Sequence, residues 1–208
     1  MTRCGVAGLL LATAVACSSP AGGSSAASAS GLDSAHPGDT IPLSLMMFHS
    51  ITWRPWHGTT LPFADRWGPT TVQGDVATGF SHTPEGAVIA MMQHQARLAG
   101  LDGAAWSAAA RVMAVVAPAD QPPDHHLGTG FDTGSQLPYF AGYHWSSYTT
   151  DRAEADLALQ TDDGALNSVH VAEVWRGGDW KAELPAAGGT LTPLYGMDAY
   201  QPWPAVPR

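Results

Sequence analysis

Nine histidines and a handful of isolated carboxylates are the residues of this chain best equipped for chemistry. Asp124, His125 and His126 form the densest group, and His82, His94 and His144 are those a fold could bring close to it. Zinc sites hold imidazoles and carboxylates at set spacings, and none of those spacings is present. No metal is therefore expected, and the His125-His126 pair reads as part of a polar loop. Asp132 stands in the string Phe131-Asp132-Thr133-Gly134-Ser135. Two such carboxylates sharing a proton can activate water for peptide hydrolysis. With one copy, that reaction would need a dimer. Asp, Thr, Gly and Ser are also turn formers, and the string reads as a turn. There is no Gly-x-Ser-x-Gly string and no phosphate loop, and the two cysteines, Cys4 and Cys17, lie in the leader. No catalytic residue and no cofactor is assigned.

Glu173 is the carboxylate that stands out. It alternates onto one strand face with Val169, Val171 and Trp175. If that face is a concave core, Glu173 is a buried carboxylate with a raised pKa. Glu173, His144 and Tyr143 are the candidate pocket residues for a small-molecule or catalytic role. His82 precedes a helix cap and reads as a side chain that orders the helix entry. Trp145, Trp175 and Trp180 fall on strands and are expected to pack the sheet. Trp53, Trp56 and Trp203 fall outside it and are the candidate exposed surface for a protein partner.

Two kinds of element must position these groups. Thr83 can cap a helix, Pro84 suits its first turn and Glu85 suits its positive end. Val88, Met91, Met92, Gln95 and Leu98 follow at helical spacing, and Gly100 stops the run. A second helix is predicted from about Ala104 to Val116, with Trp106, Ala109, Ala110 and Met113 along one side and Pro118 beyond it. Residues 119–139 form a long loop. From Ala141 the period becomes two. Four strands are predicted, punctuated by Asp162-Asp163-Gly164 and by the hairpin signal Gly177-Gly178. The class is α+β, a helical hairpin packed on a curved antiparallel sheet. Residues 41–80 hold Trp53, Trp56, Trp67 and several prolines with little periodicity. They read as an irregular extension whose best strand candidates are 43–46 and 58–63. Residues 188–208 read as a Pro- and aromatic-rich tail.

The remaining features concern the address. The chain has 208 residues, a formal charge of -9 and a single lysine, Lys181. That balance disfavours nucleic-acid binding, which needs clustered cations. Apolar residues make up 45%, too many for a wholly disordered chain. Arg3 followed by the apolar run Val6 to Val15 reads as a signal peptide over 1–16, too short for the roughly 20 residues of a membrane span. Ala14-Val15-Ala16-Cys17 resembles a bacterial lipobox, with Ala14 where such boxes favour leucine. The resemblance implies lipidation at Cys17, followed over 17–40 by a flexible Ser/Ala/Gly tether. The expected place is the extracytoplasmic side of the cell membrane, with plain secretion as the alternative.

Three further stretches carry a family likeness: Gly79 to Ala87, Tyr148 to Ala153 and Val174 to Lys181. They resemble actinobacterial exported proteins, some of them linked to conjugation elements. The second half is also similar to the NTF2-like, cystatin-like cone domains of type IV secretion scaffold proteins, although this chain shows no membrane-spanning helix. The resemblance covers about residues 50–187 and implies an NTF2-like domain over 81–187. It also implies a lipoprotein that works through a protein partner at the envelope, as an accessory of conjugation or secretion. The alternative is an NTF2-like pocket that binds or converts a small molecule.

Overall fold

The computed structural model describes residues 48, 50–115, 137–184 and 189–203. The leader, Cys17 and its tether, the strand candidate at 43–46, the His125-His126 group and the Asp132 string lie outside the described residues.

The 41–80 segment is more regular than expected where it is described. It forms two antiparallel hairpins, β1 (Thr52–Trp56) with β2 (Thr59–Phe63), and β3 (Thr71–Gln73) with β4 (Val76–Thr78). The strands are too short for a period of two to accumulate, which is why the sequence looked irregular. Pro55 and Pro62 disguise them further. Proline is tolerated here because every strand of a two-stranded sheet is an edge. The turn between β1 and β2 is His57-Gly58, both with positive φ, the backbone a tight two-residue hairpin requires. The expected strand at 58–63 is β2.

Helix α1 (Pro84–Gly100) starts as read: Thr83 Oγ1 accepts the Gly86 N–H at 3.2 Å and Pro84 sits in the first turn. It has no solvent face over most of its length, because residues from Ala87 to His94 are all buried. A helix apolar nearly all round is stable only when covered all round. The long sheet covers one side of it, and β2, β4 and the second helix cover the others. Helix α2 (Gly103–Met113) buries the predicted stripe of Trp106, Ala109, Ala110 and Met113. It stops short of the expected Val116 because Ala114 and Val115 leave the helix as β5 (Ala114–Val115), which pairs in parallel with the ninth strand.

The predicted meander is present as β6 (Tyr139–Tyr148), β7 (Arg152–Gln160), β8 (Leu166–Arg176) and β9 (Asp179–Glu183), each antiparallel to the next. Gly177 and Gly178 turn β8 into β9 with φ of 63° and 80°, and Trp175 and Trp180 face each other across that turn. The tail is not loose. β10 (Leu191–Pro193) pairs with the first half of β8, and β11 (Gln201–Pro202) pairs with β6. The sheet order is β11-β6-β7-β8-β9-β5, with β10 beside β8. Among the described residues the result is a mixed α+β fold, two helices with a mostly antiparallel open sheet. Leu61, Trp67 and Ala77 of the early segment share one core with Val88, Met92, Leu157 and Trp203.

Candidate functional site

The inner face of the sheet is defined by register. Tyr143, Leu157 and Val169 form one row, and Tyr148, Ala153, Glu173 and Ala182 form another. Glu173 therefore sits on a buried face between two alanine methyls. The group that reaches it comes from the helix: His94 Nδ1 lies 3.0 and 3.1 Å from its two carboxylate oxygens. Both side chains are 1% exposed. Burial pushes the Glu173 carboxyl above the usual carboxylate range, and the nearby Asp179 charge adds to this, while His94 and Lys181 act against it. His94 donates to Glu173 when the carboxyl is ionised and accepts from it when it is protonated. The other ring nitrogen, Nε2, is buried without a hydrogen-bond partner among the described residues. The Phe80 ring stands edge-on to the imidazole with centroids 5.2 Å apart.

One turn along α1 lies a second polar group. Gln93 Nε2 donates to the Pro62 carbonyl at 2.7 Å, and its oxygen accepts from Arg97 Nε at 2.9 Å. The Arg97 guanidinium lies over the Trp56 ring at 5.2 Å. Burial lowers the Arg97 pKa, with Asp75 acting against it. This group bridges the early hairpin to the helix. Periodicity does not reveal Gln93, His94 and Arg97, because it marks the apolar positions of α1. The clue available was the polar set Gln93, His94, Gln95 and Arg97 in a helix otherwise apolar beyond its first turn.

The three expected pocket residues do not converge. Tyr143 is 3% exposed on the inner face, two rows from Glu173's, and its hydroxyl donates to Gln201 Oε1 at 2.5 Å. Burial raises its pKa, helped by the Glu85 charge, and Tyr148 is raised in the same way. His144 points to the opposite face, as its place next to Tyr143 on a strand requires. There it faces Asp156 at 3.7 Å, and His170 Nδ1 meets the other oxygen of Asp156 at 2.9 Å. His144, Asp156 and His170 occupy one row across β6, β7 and β8. Among the described residues no group of three or more His, Cys, Asp or Glu is arranged to hold a metal ion.

Of the expected exposed surface of Trp53, Trp56 and Trp203, the structure buries Trp203 and leaves the other two half-buried. Trp203 is 5% exposed and packs on Phe48, Tyr143 and Trp53 with centroids 4.6, 5.2 and 5.9 Å away. Trp53 and Trp56 are half-buried against the core, and Trp56 is stacked on His57 at 4.3 Å. Large aromatic rings lose too much favourable burial by staying in water when a core lies within reach. His82 stacks on Trp175, centroids 3.9 Å apart and planes 7° off parallel, and its Nε2 contacts the Thr150 carbonyl.

The class this defines is a mixed α+β protein with a buried central helix and a closed histidine–carboxylate pair between helix and sheet. A family model described as a domain of unknown function (DUF8175) matches residues 12–202, and the chain belongs to that family. No curated protein and no solved structure matches it. Among the described residues no helix is long and apolar enough to cross a membrane.

Proposed function

We propose that this chain is an exported cell-envelope lipoprotein, anchored through Cys17 on the extracytoplasmic side. It works by protein–protein contact, as an accessory of a conjugation or secretion apparatus. Its α+β domain is of the NTF2-like, cystatin-like kind, a reading supported by a helix laid along the inner face of a four-strand meander. The observation that carries contact over catalysis is the state of that inner face. A small-molecule pocket would open there, and instead Val88, Met91 and Met92 of α1 fill it at 0 to 1% exposure. The carboxylate with the strongest claim to chemistry, Glu173, is itself 1% exposed. The anchor rests on Ala14 to Cys17 and on the Ser/Ala/Gly stretch that follows.

The test has two readouts. Cells expressing the full chain or Cys17→Ala are fed a clickable fatty acid, fractionated and probed for the protein. The expected result is label and membrane retention for the full chain, and neither for Cys17→Ala. An unlabelled full chain overturns the anchor. Transfer frequency of a conjugative element is then measured in a deletion strain complemented with either form. Rescue by the full chain but not by Cys17→Ala is expected, and unchanged transfer on deletion overturns the conjugation role.

A further inference from the structure

Residues Gly79–His82, in the link from β4 to α1, lie against the His94–Glu173 pair through Phe80. Phe80 points inward and covers the imidazole. Its neighbours are held at both edges of the segment by different means. On one edge are two backbone bonds to the preceding loop, Thr70 N–H to the Gly79 carbonyl and Ser81 N–H to the Trp67 carbonyl. On the other edge the β8–β9 hairpin supplies most of the contacts, and the Thr150 carbonyl meets His82 Nε2. The Asp179 carboxylate accepts the Gly79 N–H at 3.2 Å and the Phe80 N–H at 3.0 Å. The Trp180 indole donates to the Ser81 carbonyl at 2.9 Å, and Trp175 carries the stacked His82.

Two glycines let the segment lie this close. Gly79 has a φ of 80°, and a Cβ there would stand 1.9 Å from Thr70 Oγ1. A Cβ on Gly86 would stand 2.1 Å from the Ser81 carbonyl, so the first turn of α1 passes directly under the segment. Asp179 is 7% exposed, and its oxygens also accept the Trp180 N–H and the Lys181 ammonium. A carboxylate so fully committed is a strong point of attachment, and losing it takes that partner from three N–H groups, those of Gly79, Phe80 and Trp180.

We propose that Gly79–His82 is a hinged cover over the His94–Glu173 pair, with its hinge at the Trp67 and Thr70 bonds and Asp179 as its latch. With the latch in place the pair is dry. With it released, water reaches the unpartnered Nε2 of His94 and the pair becomes a solvent-exchanging acid–base site. Side-chain attachments at one edge are what such a device needs, because they can be given up while the backbone bonds at the other edge hold.

The experiment uses the full chain and diethyl pyrocarbonate, a small electrophile that acylates imidazole nitrogen, with the modified histidines located by peptide mass. In the wild type, His94 should be protected while His144 and His170 react. In Asp179→Ala, His94 should react about tenfold faster, the size expected for losing a charge-assisted attachment, with His144 and His170 unchanged. His82→Ala loosens the same edge without touching the carboxylate and should give a smaller increase. Amide exchange at Leu157 and Val169, measured in parallel, should stay at the wild-type rate in both variants. The proposal is overturned if His94 reacts as fast as His144 in the wild type, or stays equally protected in both variants. It is also overturned if exposure of His94 comes only with faster exchange at Leu157 and Val169, since the opening would then be global.

Discussion

The two faces of one sheet carry the same chemical pairing in opposite settings. On the inner face His94 meets Glu173 at 3.0 Å, with both side chains 1% exposed. On the outer face His144 and His170 meet Asp156 at 3.7 and 2.9 Å, with the three side chains 46%, 57% and 31% exposed. Residue type and distance are nearly shared, so the difference is solvent. In water a histidine–aspartate contact is screened and costs little to break. Inside, neither partner can be removed without leaving the other with nothing to bond to. The inner pair ties α1 to β8, whereas the outer row decorates a surface.

The comparison can be broken most forcefully at His94. His94→Ala should destabilise the fold by about 3–5 kcal/mol, because it strands a buried carboxyl and opens a cavity. Denaturant unfolding of the purified domain measures this, and a loss below about 1 kcal/mol would place the inner pair with the outer row.

Glu173→Gln sharpens the same contrast through pH. The folded-state pKa of Glu173 is raised from 4.5, chiefly by burial. A group shifted in that direction contributes its stability at pH below its unfolded value, and that contribution is lost as pH rises through the folded value. Gln cannot ionise and escapes the loss. The variant should therefore differ little from the wild type at pH 4 and gain on it as pH rises toward neutrality, as denaturant unfolding across that range would show. A gap that stays constant across the range would show that Glu173 titrates in the fold as it does unfolded.

The outer row should respond weakly. Asp156→Asn is expected to cost up to about 1 kcal/mol, and the cost should shrink in high salt. His144→Ala should fall within about 0.5 kcal/mol of the wild type, as for an ordinary surface substitution. A larger or salt-independent loss at either position would mean that the tail residues packed near His144, such as Tyr200 at 5.8 Å between ring centroids, depend on this row.

Local signals were read successfully where the element was long or its punctuation chemically specific. Thr83-Pro84-Glu85 marks the start of α1, Gly177-Gly178 marks the β8–β9 turn, and alternation over ten residues marks β6, β7 and β8. Of the hairpins at 52–63 and 71–78 only β2 was read, because three to five residues are too few for a period to show. The tail strands were missed because β10 and β11 have no pattern of their own and exist by pairing with β8 and β6. For the candidate site, alternation predicted that Glu173 would share a face with Val169 and Trp175. It could not supply His94, which lies 79 positions away along the chain.

What the sequence determined by itself is the identity and order of the long elements, the face on which each strand residue lies, and the opposition of Tyr143 to His144. These follow from backbone periodicity and capping, which act over a few residues. The tertiary structure alone decided that α1 is buried on all sides and that Trp203 belongs to the core. It also decided that Glu173 has a histidine partner beneath a closed segment. Those outcomes depend on which surfaces meet, and burial energy is set by the neighbour that covers a residue as much as by the residue itself.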